Sequence, residues 1–418
     1  MKVLIIGGGG REHAIAWKLK QSPRISKLYC APGNGGIASL AEIVPIKATD
    51  LPGLTRFALE EKIDLVFVAP DDPLAMGLVD ELEKAGVTAF GPRKNAAIIE
   101  SSKAFSKDLM RRYQIPTAEY AVFEQLDAAL NYLETASIPI VIKADGLALG
   151  KGVIIALSRE EAQNAVREMM AGSAFGQAGR TVVIEEFMTG PELTVLAFSD
   201  GNTVVPMLSS RDHKRALDGD QGLNTGGMGA VVPGADLAPE IWAALQSQIF
   251  QPTIDAMKAE NRPFRGVIYF GLMLTPQGPK VIEYNARFGD PEAQAVLPLL
   301  ETDLLDIVEA ILDNRLHEID IRWKNQCSCC VVLASGGYPG QYQTGYPIDG
   351  LNSVAPDCLV FHAGTRLENG RILTNGGRVL GVTSLAEDLP TAISKAYHEA
   401  AKIYFKDIHY RRDIGQTL

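Results

Sequence analysis

The chain of 418 residues has few cysteines, no long apolar run and no excess of basic residues. Its five cysteines are odd in number, and Cys327, Cys329 and Cys330 lack the C-x-x-C spacing of a zinc site. No apolar run approaches the ~20 residues that span a bilayer, and glycine follows Met1–Ile6 before a signal-peptide core could form. The formal net charge of −10, without any basic block, argues against binding to nucleic acids or acidic membranes. We therefore expect a cytoplasmic protein without nucleic-acid or membrane partners.

The overall composition is that of a globular protein with several hydrophobic cores. Hydrophobic residues make up 46% of the chain and charged residues 22%, which are ordinary proportions. The length allows about three domains of roughly 150 residues each. No strongly apolar exposed stripe marks an interface in the sequence, so a monomer is expected.

Residues 1–100 alternate short apolar runs with helical patterns, one of which repeats leucine every four residues over Leu74–Ala85. This alternation predicts a parallel sheet covered on both faces, with ligands beyond the carboxyl ends of its strands. The expected strands are Val3–Ile6, Lys27–Ala31, Glu42–Ile46, Asp64–Ala69 and Val87–Phe90.

The rest of the chain divides into three patterns. Residues 119–190 run strand, helix, strand, glycine loop, strand, helix and strand, with a capping box at Ser158 and Glu161. Residues 191–325 look like a larger α+β unit. Residues 326–418 contain the turn signal Asn369-Gly370 between the expected strands Phe361–Leu367 and Arg371–Thr374, and show no chemistry of their own.

The most informative segment is Glu283–Glu292. Because side chains two apart on a strand share a face, Glu283, Asn285 and Arg287 line one surface. A carboxylate, an amide oxygen and a guanidinium suit a magnesium ion that carries a phosphate chain. Asp290, Pro291 and Glu292 have the pattern of an N-cap, a first helical position and a first-turn acid. An amphipathic strand followed by a capped helix explains the same residues without any metal.

Gly7–Gly10 follow a buried strand and precede Arg11-Glu12-His13, which begins a helix. Backbone N–H groups at such a position favour an anion, although a tight turn needed only for packing remains open. The G-x-G-x-x-G dinucleotide fingerprint is missing, because Glu12 or His13 occupies its third glycine position. A nicotinamide cofactor is therefore disfavoured.

Lysines and acids elsewhere suit a nucleotide. Lys143 ends a strand beside the glycine-rich loop Asp145–Gly152, which we interpret as a flap over a ligand. Lys103 and Lys143 suit phosphate oxygens, and Ile184–Met188 can present its backbone to an adenine edge. The charged run Arg211–Arg215 and the loop Asn224–Gly229 suit a small polar or anionic substrate, and nothing pairs His213 with a nucleophile. Taken singly, the charged residues are better explained by a solvated surface, and only Lys143, beside the flap, fits a phosphate role equally well.

Taken in order, these motifs resemble the ATP-grasp superfamily and, within it, the phosphoribosylamine–glycine ligase family. The resemblance also covers Pro32–Gly36, Phe361–Thr365 and Thr374–Val382, and so spans nearly the whole chain. It implies an α/β and α+β multidomain protein with an ATP-grasp fold. The implied domains are an N-terminal parallel α/β domain (1–100), a central ATP-grasp domain (101–118 and 191–325), a lid (119–190) and a small β-rich C-terminal domain (326–418).

The resemblance further implies ATP-dependent ligation of glycine to 5-phosphoribosylamine through a glycyl phosphate, an early step of purine synthesis. Glu283 and Asn285 would hold Mg²⁺ or Mn²⁺, and Arg287, Asp212 and Lys214 would carry catalysis by position and charge. The residues expected to bind ATP are Lys103, Lys143, Gly150, Lys151, Glu185, Glu186, Phe187, Met188 and Glu192. Those expected to bind the other substrates are Gly8, Gly9, Gly10, Gly35, Asp71, His213, Asn224, Thr225, Gly226, Gly227, Gly289 and Asp290.

Two departures from the family pattern leave points open. The loop Ala69–Leu74 carries Asp71 where the family has a longer glutamate, so either Asp71 or Asp72 could contact the ribose. Gly271 stands where many ATP-grasp enzymes have a second metal-binding acid. Another ATP-grasp activity, or a nucleotide-binding protein without turnover, are the alternatives that the residues allow.

Overall fold

The computed structural model describes residues 1–146, 152–171 and 179–416. Its strands are β1 (Lys2–Gly7), β2 (Lys27–Pro32), β3 (Glu42–Ile43), β4 (Leu65–Val68), β5 (Ala89–Phe90), β6 (Tyr120–Phe123), β7 (Ile140–Ala144), β8 (Val153–Ala156), β9 (Val182–Glu186), β10 (Glu192–Asp200), β11 (Val204–Asp212), β12 (Arg215–Leu217), β13 (Gln221–Asn224), β14 (Gly229–Val232), β15 (Arg265–Thr275), β16 (Gly278–Asn285), β17 (Cys327–Ser335), β18 (Leu359–His362), β19 (Thr365–Glu368), β20 (Arg371–Thr374), β21 (Arg378–Ala386) and β22 (Ile408–His409). Its α-helices are α1 (Gly10–Leu19), α2 (Leu51–Glu60), α3 (Asp71–Met76), α4 (Leu78–Lys84), α5 (Lys94–Ser101), α6 (Lys103–Arg112), α7 (Leu126–Leu133), α8 (Arg159–Ala171), α9 (Pro239–Leu245), α10 (Gln251–Ala259), α11 (Glu292–Val296), α12 (Leu304–Leu312) and α13 (Leu389–Ala400).

The first five strands form a parallel sheet in the order β3-β2-β1-β4-β5. Leu4 and Ile6 of β1 pack into one core, and Val3 and Ile5 pack into another on the opposite face. Both faces are therefore covered, as a parallel sheet requires, and the predicted parallel sheet is confirmed. The strand order reverses between β1 and β4, which brings the loops that follow these two strands together.

Two predicted elements are interrupted in the structure. The prediction of a single helix over Leu74–Ala85 is wrong. Gly77 has φ +98° and separates two helices, α3 and α4. The strand expected over Phe361–Leu367 is divided into β18 and β19, with Gly364 packed closely against the backbone of Gly376. The hairpin at Asn369-Gly370 is confirmed, since Glu368 pairs with Arg371 and both turn residues have positive φ.

A nine-stranded sheet joins the middle of the chain to its C-terminal part. Its order is β16-β15-β10-β11-β14-β17-β21-β18, with β22 paired to β17, and each neighbouring pair is antiparallel. The expected domain boundary near residue 325 therefore falls between strands of one sheet, and the domain limits stay predictions.

A smaller antiparallel sheet, in the order β6-β9-β7-β8, is built from residues within 120–186. Helices α7 and α8 pack on it through a core of their own that includes Leu133, Ile142, Val166 and Ile184. This sheet supplies one wall of the site described below. Across the described ranges, no helix combines the length and hydrophobicity that crossing a membrane requires.

A pair of buried histidines connects α1 to β18. His13 and His362 are only 7% and 8% exposed, and the backbone N–H of His362 donates to Nδ1 of His13 at 2.8 Å. Burial lowers the pKa of His13 to about 3, helped by the neighbouring His362, and lowers the pKa of His362 to about 4. Both rings are therefore neutral in the folded protein at any pH near neutrality.

This pair predicts acid sensitivity of the fold. An unfolded histidine has a pKa near 6.5, so below that pH the unfolded chain binds protons that the folded chain rejects. Each of the two rings should thus lower the free energy of unfolding by about 2 kcal/mol when the pH falls from 7.5 to 5. Denaturant unfolding at both pH values, for the wild type and His362→Asn, checks this. The variant should lose less stability on acidification, whereas the exposed control His317→Asn should behave as the wild type.

Candidate active site

A cavity of about 1110 Å³ lies between the small sheet and the edge of the large one. Its walls come from β7, β8 and β9 on one side and from β15 and β16 on the other, with α6 and the β12–β13 region completing it. The predicted residues that line it are Asp71, Lys103, Lys143, Glu185, Glu186, Phe187, Met188, Glu192, Asp212, His213, Lys214, Asn224, Thr225, Gly226, Glu283, Asn285, Arg287 and Asp290. Residues from six separate stretches of the sequence thus meet at one place.

Some predicted residues lie elsewhere. Gly8, Gly9 and Asp290 line a second cavity of about 340 Å³, which shares Asp290, Tyr338 and Arg378 with the first. Gly10, Gly35, Gly227 and Gly289 line neither cavity. Gly150 and Lys151 lie outside the described residues, as does most of the predicted flap.

A buried charge cluster stands at the β7–β9 wall. Lys143 and Lys107 both pair with Oε2 of Glu185, at 3.0 and 2.9 Å, and Lys143 also donates to the carbonyl of Ile282. Burial raises the pKa of Glu185, but the two lysines outweigh it and lower that pKa below its usual value. Lys103 stands nearby and donates to the carbonyl of Gly146 at 2.9 Å. The cluster therefore carries more positive than negative charge, as a polyphosphate site requires.

Lys107 was missed by the sequence reasoning. It lies on α6, one turn after Lys103, and also donates to Oγ1 of Thr117 at 2.8 Å. The other oxygen of Glu185, Oε1, is buried and has no partner among the described residues. An unpaired buried acceptor in a cavity wall is a position for a ligand N–H group.

The predicted phosphate role of Lys143 implies that loss of its charge weakens ATP binding more than glycine binding. Charge-assisted hydrogen bonds contribute about 1.5–3 kcal/mol, so Lys143→Met should raise the KM for ATP by roughly 10- to 100-fold. Steady-state kinetics with each substrate varied in turn measures this. An unchanged KM for ATP would contradict the phosphate role. The exposed Lys27→Met, which removes a charge far from the cavity, is the matched control.

Glu283 and Asn285 form the candidate metal position. Both line the cavity from β16, and Gly271 of β15 lies directly opposite Glu283, so this cross-strand position supplies no second acid. The alternation of side chains along β16 is broken by a bulge opposite Gly271 of β15. Ile282 therefore lies in the same cavity wall. The described residues hold no cluster of three His, Cys, Asp or Glu side chains able to bind a metal. One carboxylate and one amide fit an ion whose remaining ligands are phosphate and water.

Arg287 is fixed by an acid that the sequence did not reveal. Its Nη2 pairs with Oε1 of Glu100 at 2.9 Å and donates to Oδ1 of Asn285 at 3.2 Å, while its Nε has no partner in the described structure. Oε2 of Glu100 accepts from the backbone N–H of Ala286, so helix α5 holds the end of β16. Burial raises the pKa of Glu100, and Arg287 counteracts this.

Of the two acids in the loop after β4, only Asp71 faces the cavity. Asp71 lines the cavity, and its pKa falls below the ordinary value because Arg287 and Arg11 outweigh its burial. Asp72 is exposed and lines neither cavity. Asp71 is therefore the residue placed to meet a substrate.

Lys214 is held between two acids, at 3.2 Å from Oδ1 of Asp212 and 3.0 Å from Oε2 of Glu192. Burial opposes its charge, but these acids raise its pKa above the usual value. Burial lowers the pKa of the adjacent His213 to about 4, and its Nε2 accepts from the backbone N–H of Gly415 at 3.1 Å. His213 is therefore neutral, with its proton on Nδ1.

Backbone N–H groups at the glycine-rich start already donate hydrogen bonds to acidic side chains of the protein itself. Oε2 of Glu12 accepts from the N–H of Gly9 at 2.6 Å, and Oδ2 of Asp290 accepts from that of Arg11 at 3.2 Å. The expectation that Asp290 is an N-cap is wrong, because α11 begins at Glu292 with Pro291 at the cap position. Asp290 instead pairs with Arg378 at 3.3 Å and accepts from Gln294 at 2.8 Å.

The C-terminal part contributes to the site, contrary to expectation. Arg378 donates to the carbonyls of Gly226 and Asp290 at 2.8 and 2.6 Å, and the hydroxyl of Tyr338 accepts from the N–H of Gly226. Arg378 and Tyr338 therefore hold the Asn224–Gly227 loop at the junction of the two cavities.

Comparison with known proteins identifies this arrangement. Three family models match successive parts of the chain: Phosphoribosylglycinamide synthetase, N domain (1–100), ATP-grasp (A) domain (101–293) and C domain (328–417). Together with the cavity between two antiparallel sheets, they define an ATP-grasp ligase, a class that uses ATP and a divalent metal. More narrowly, the chain belongs to the phosphoribosylamine–glycine ligase family.

Individual relatives agree along their full length. Phosphoribosylamine–glycine ligase from Caldanaerobacter subterraneus subsp. tengcongensis is 47% identical over 415 residues, which cover 99% of each chain. The protein of that name from Halalkalibacterium halodurans is 49% identical, with 99% of this chain and 96% of the relative covered. The crystal structure of phosphoribosylamine–glycine ligase from Thermotoga maritima superposes with a TM-score of 0.86 at 32% identity, covering 99% of this chain and 100% of the other. The sequence-based assignment to the family and to the ATP-grasp fold is confirmed.

Proposed function

We propose that the cavity joins glycine to 5-phosphoribosylamine with ATP, through a glycyl phosphate, and that the predicted residues in its wall carry out this reaction. The observation that carries the proposal is the convergence of a lysine cluster, the Glu283–Asn285–Arg287 face and the Asp212–Lys214 pair in one cavity. Such a site needs no protein nucleophile, since positioning and charge stabilisation suffice for phosphoryl transfer.

The ATP would lie along the lysine cluster. Lys103 and Lys143 would bind the polyphosphate, and Glu185–Met188 would receive the adenine, with the unpaired Oε1 of Glu185 as an acceptor for an adenine N–H. Glu283 and Asn285 would hold Mg²⁺ or Mn²⁺, which would neutralise the phosphate oxygens. Glu192, which is exposed and paired with Lys214, would reach the ribose hydroxyls.

Glycine would lie between the lysine cluster and the Asp212–Lys214 pair. The carboxylate of Asp212 suits an ammonium group, and the unpaired Nε of Arg287 suits a carboxylate. A glycine held in this way would present its carboxylate to the γ-phosphorus of ATP. The glycyl phosphate would form there with release of ADP.

The phosphoribosyl group would extend toward the second cavity. Gly8 and Gly9 present bare backbone to this second cavity, and Arg378 supplies positive charge there. Asp71 lines the first cavity, just after the end of β4. Gly10 and Gly35 would act by allowing close packing, since a Cβ at Gly10 would collide with Gln294 and one at Gly35 with the backbone of Arg366.

Phosphate release with each component omitted in turn tests the proposal. With ATP, Mg²⁺, glycine and phosphoribosylamine generated in the tube, release should require every component and give a glycyl amide by mass. Release without glycine would point to another ATP-grasp activity. Binding of ATP without any release would leave a nucleotide-binding protein. The expected cytoplasmic location, the monomeric state and the domain limits stay predictions.

A further inference from the structure

Glu292 is a buried acid in the cavity for which none of the roles above accounts. It begins α11, lines the cavity and is only 3% exposed. Its carboxylate receives no side-chain hydrogen bond from the described residues, unlike Glu185, Glu100 and Asp290. A buried carboxylate in a reaction cavity whose only hydrogen bond within the described structure comes from its own backbone is available to a substrate.

The charges around Glu292 keep its proton mobile near neutral pH. The groups that face it are Asp212 from β11, Lys214 after that strand, Tyr269 from β15, Arg287 after β16 and Arg378 from β21. Burial and the neighbouring Asp212 raise the pKa of Glu292 to about 7, and Lys214 and Arg287 counteract this only in part. Burial raises the pKa of Asp212 as well. A base with such a pKa accepts and releases protons readily at pH 7.

Gly289 has no side chain, and the Glu292 carboxylate occupies the space that a side chain there would fill. A Cβ at position 289 would collide with Oε2 of Glu292, so the carboxylate lies against the bare Cα of this glycine. The flexible end of the glutamate could move away from a larger residue at little cost to the fold. Position 289 therefore sets where the carboxylate points.

The second half-reaction needs a base. The amine nitrogen of phosphoribosylamine attacks the carbonyl carbon of glycyl phosphate. The bond between this carbon and the oxygen that carries the phosphorus breaks, and phosphate leaves with the bonding electrons. The new amide nitrogen must then give up one proton. Among the other acids and bases in the cavity wall, Asp212 is paired with Lys214, Glu185 with two lysines, and Nε2 of His213 with Gly415. Glu283 is the candidate metal ligand, and Arg287 and Arg11 hold the pKa of Asp71 below its usual value, which makes it a weak base.

We propose that Glu292 is the general base that takes this proton from the attacking amine, and that Gly289 positions its carboxylate for the transfer. The inference rests on the proposed function, because it needs the acyl phosphate step. Glu292 would contact the reacting nitrogen, and Gly289 would act only through Glu292.

Glu292→Gln keeps the shape of the side chain and removes the base. General-base catalysis contributes about 10²- to 10⁴-fold, so amide formation with phosphoribosylamine should fall by that factor. Hydroxylamine attacks acyl phosphates without a catalyst, so glycyl hydroxamate formation from ATP, glycine and hydroxylamine should stay within about threefold of the wild type. Gly289→Ala should also slow amide formation, and the exposed control Glu301→Gln should change neither rate.

The pH dependence separates a base from a structural role. The ratio of wild-type to Glu292→Gln amide formation should rise about tenfold per pH unit up to pH 7 and then level off, and the ratio cancels any effect of pH on the substrate. A ratio independent of pH, or equal losses of amide and hydroxamate, would overturn the assignment of Glu292 alone. If the wild type forms no hydroxamate, the acyl phosphate step fails, and this inference fails with it.

Discussion

The Glu283→Gln variant should fold normally and lose at least about 10³-fold in turnover, because one metal ligand and its negative charge disappear from the polyphosphate site. Glu283 makes no direct ion pair among the described residues, so its replacement breaks no such pair. The thermal unfolding midpoint should therefore remain within a few degrees of the wild-type value.

Nucleotide binding gives a readout that does not depend on turnover. In the wild type, added Mg²⁺ or Mn²⁺ should tighten ATP binding in calorimetry, and Glu283→Gln should lose most of that dependence. Comparison of the two ions would also show which one the site prefers. The exposed Glu240→Gln serves as the control. Wild-type turnover in Glu283→Gln would remove the metal assignment.

The Arg287→Met variant should lose both activity and stability. Glu100 is buried, and without Arg287 its charge has no counter-ion, which costs about 3–5 kcal/mol when one partner of a buried pair is removed. Denaturant unfolding at pH 7.5 should show this loss. The loss should shrink as the pH falls, because burial already raises the pKa of Glu100 and protonation removes the uncompensated charge.

A second substitution separates the two effects. Glu100→Gln combined with Arg287→Met removes the orphaned charge and keeps an amide oxygen for the N–H of Ala286. The double variant should regain most of the stability and none of the activity, since Arg287 lies in the cavity. An Arg287→Met protein as stable as the wild type would show that the pair with Glu100 contributes nothing.

The sequence was most informative where chemistry follows local geometry. The strand pattern correctly predicted that Glu283, Asn285 and Arg287 share one surface, although a bulge brings Ile282 and Tyr284 to the same cavity, and strand–helix alternation correctly predicted the parallel sheet. Gly7–Gly10 show the limit of the same reasoning. A glycine loop before a helix predicts free N–H groups, but two of those groups are already bonded to Glu12 and Asp290. Asp290 comes from 279 residues further along the chain than Arg11, so no local pattern could reveal it.

The residues missed by sequence reasoning are those that act through distant partners. Lys107 and Glu100 lie on ordinary helices, and only the folded chain brings them to Glu185 and Arg287. Arg378 lies in a segment that resembles the family, but its role was not predicted, and Tyr338 lies outside any motif; both reach the site because β17 and β21 extend the large sheet. A helix position or a sheet edge becomes functional through tertiary packing, for which a single sequence carries no signal.

The continuous nine-stranded sheet limits how this protein could be divided into pieces. Strand β14 pairs with β11 on one side and β17 on the other, and all four of its residues are buried. A fragment that stopped before residue 326 would keep the candidate metal ligands but turn β14 into a bare, apolar edge open to other chains. Such a fragment should associate with itself, whereas adding residues 326–418 as a separate polypeptide should cover the edge and restore a discrete particle.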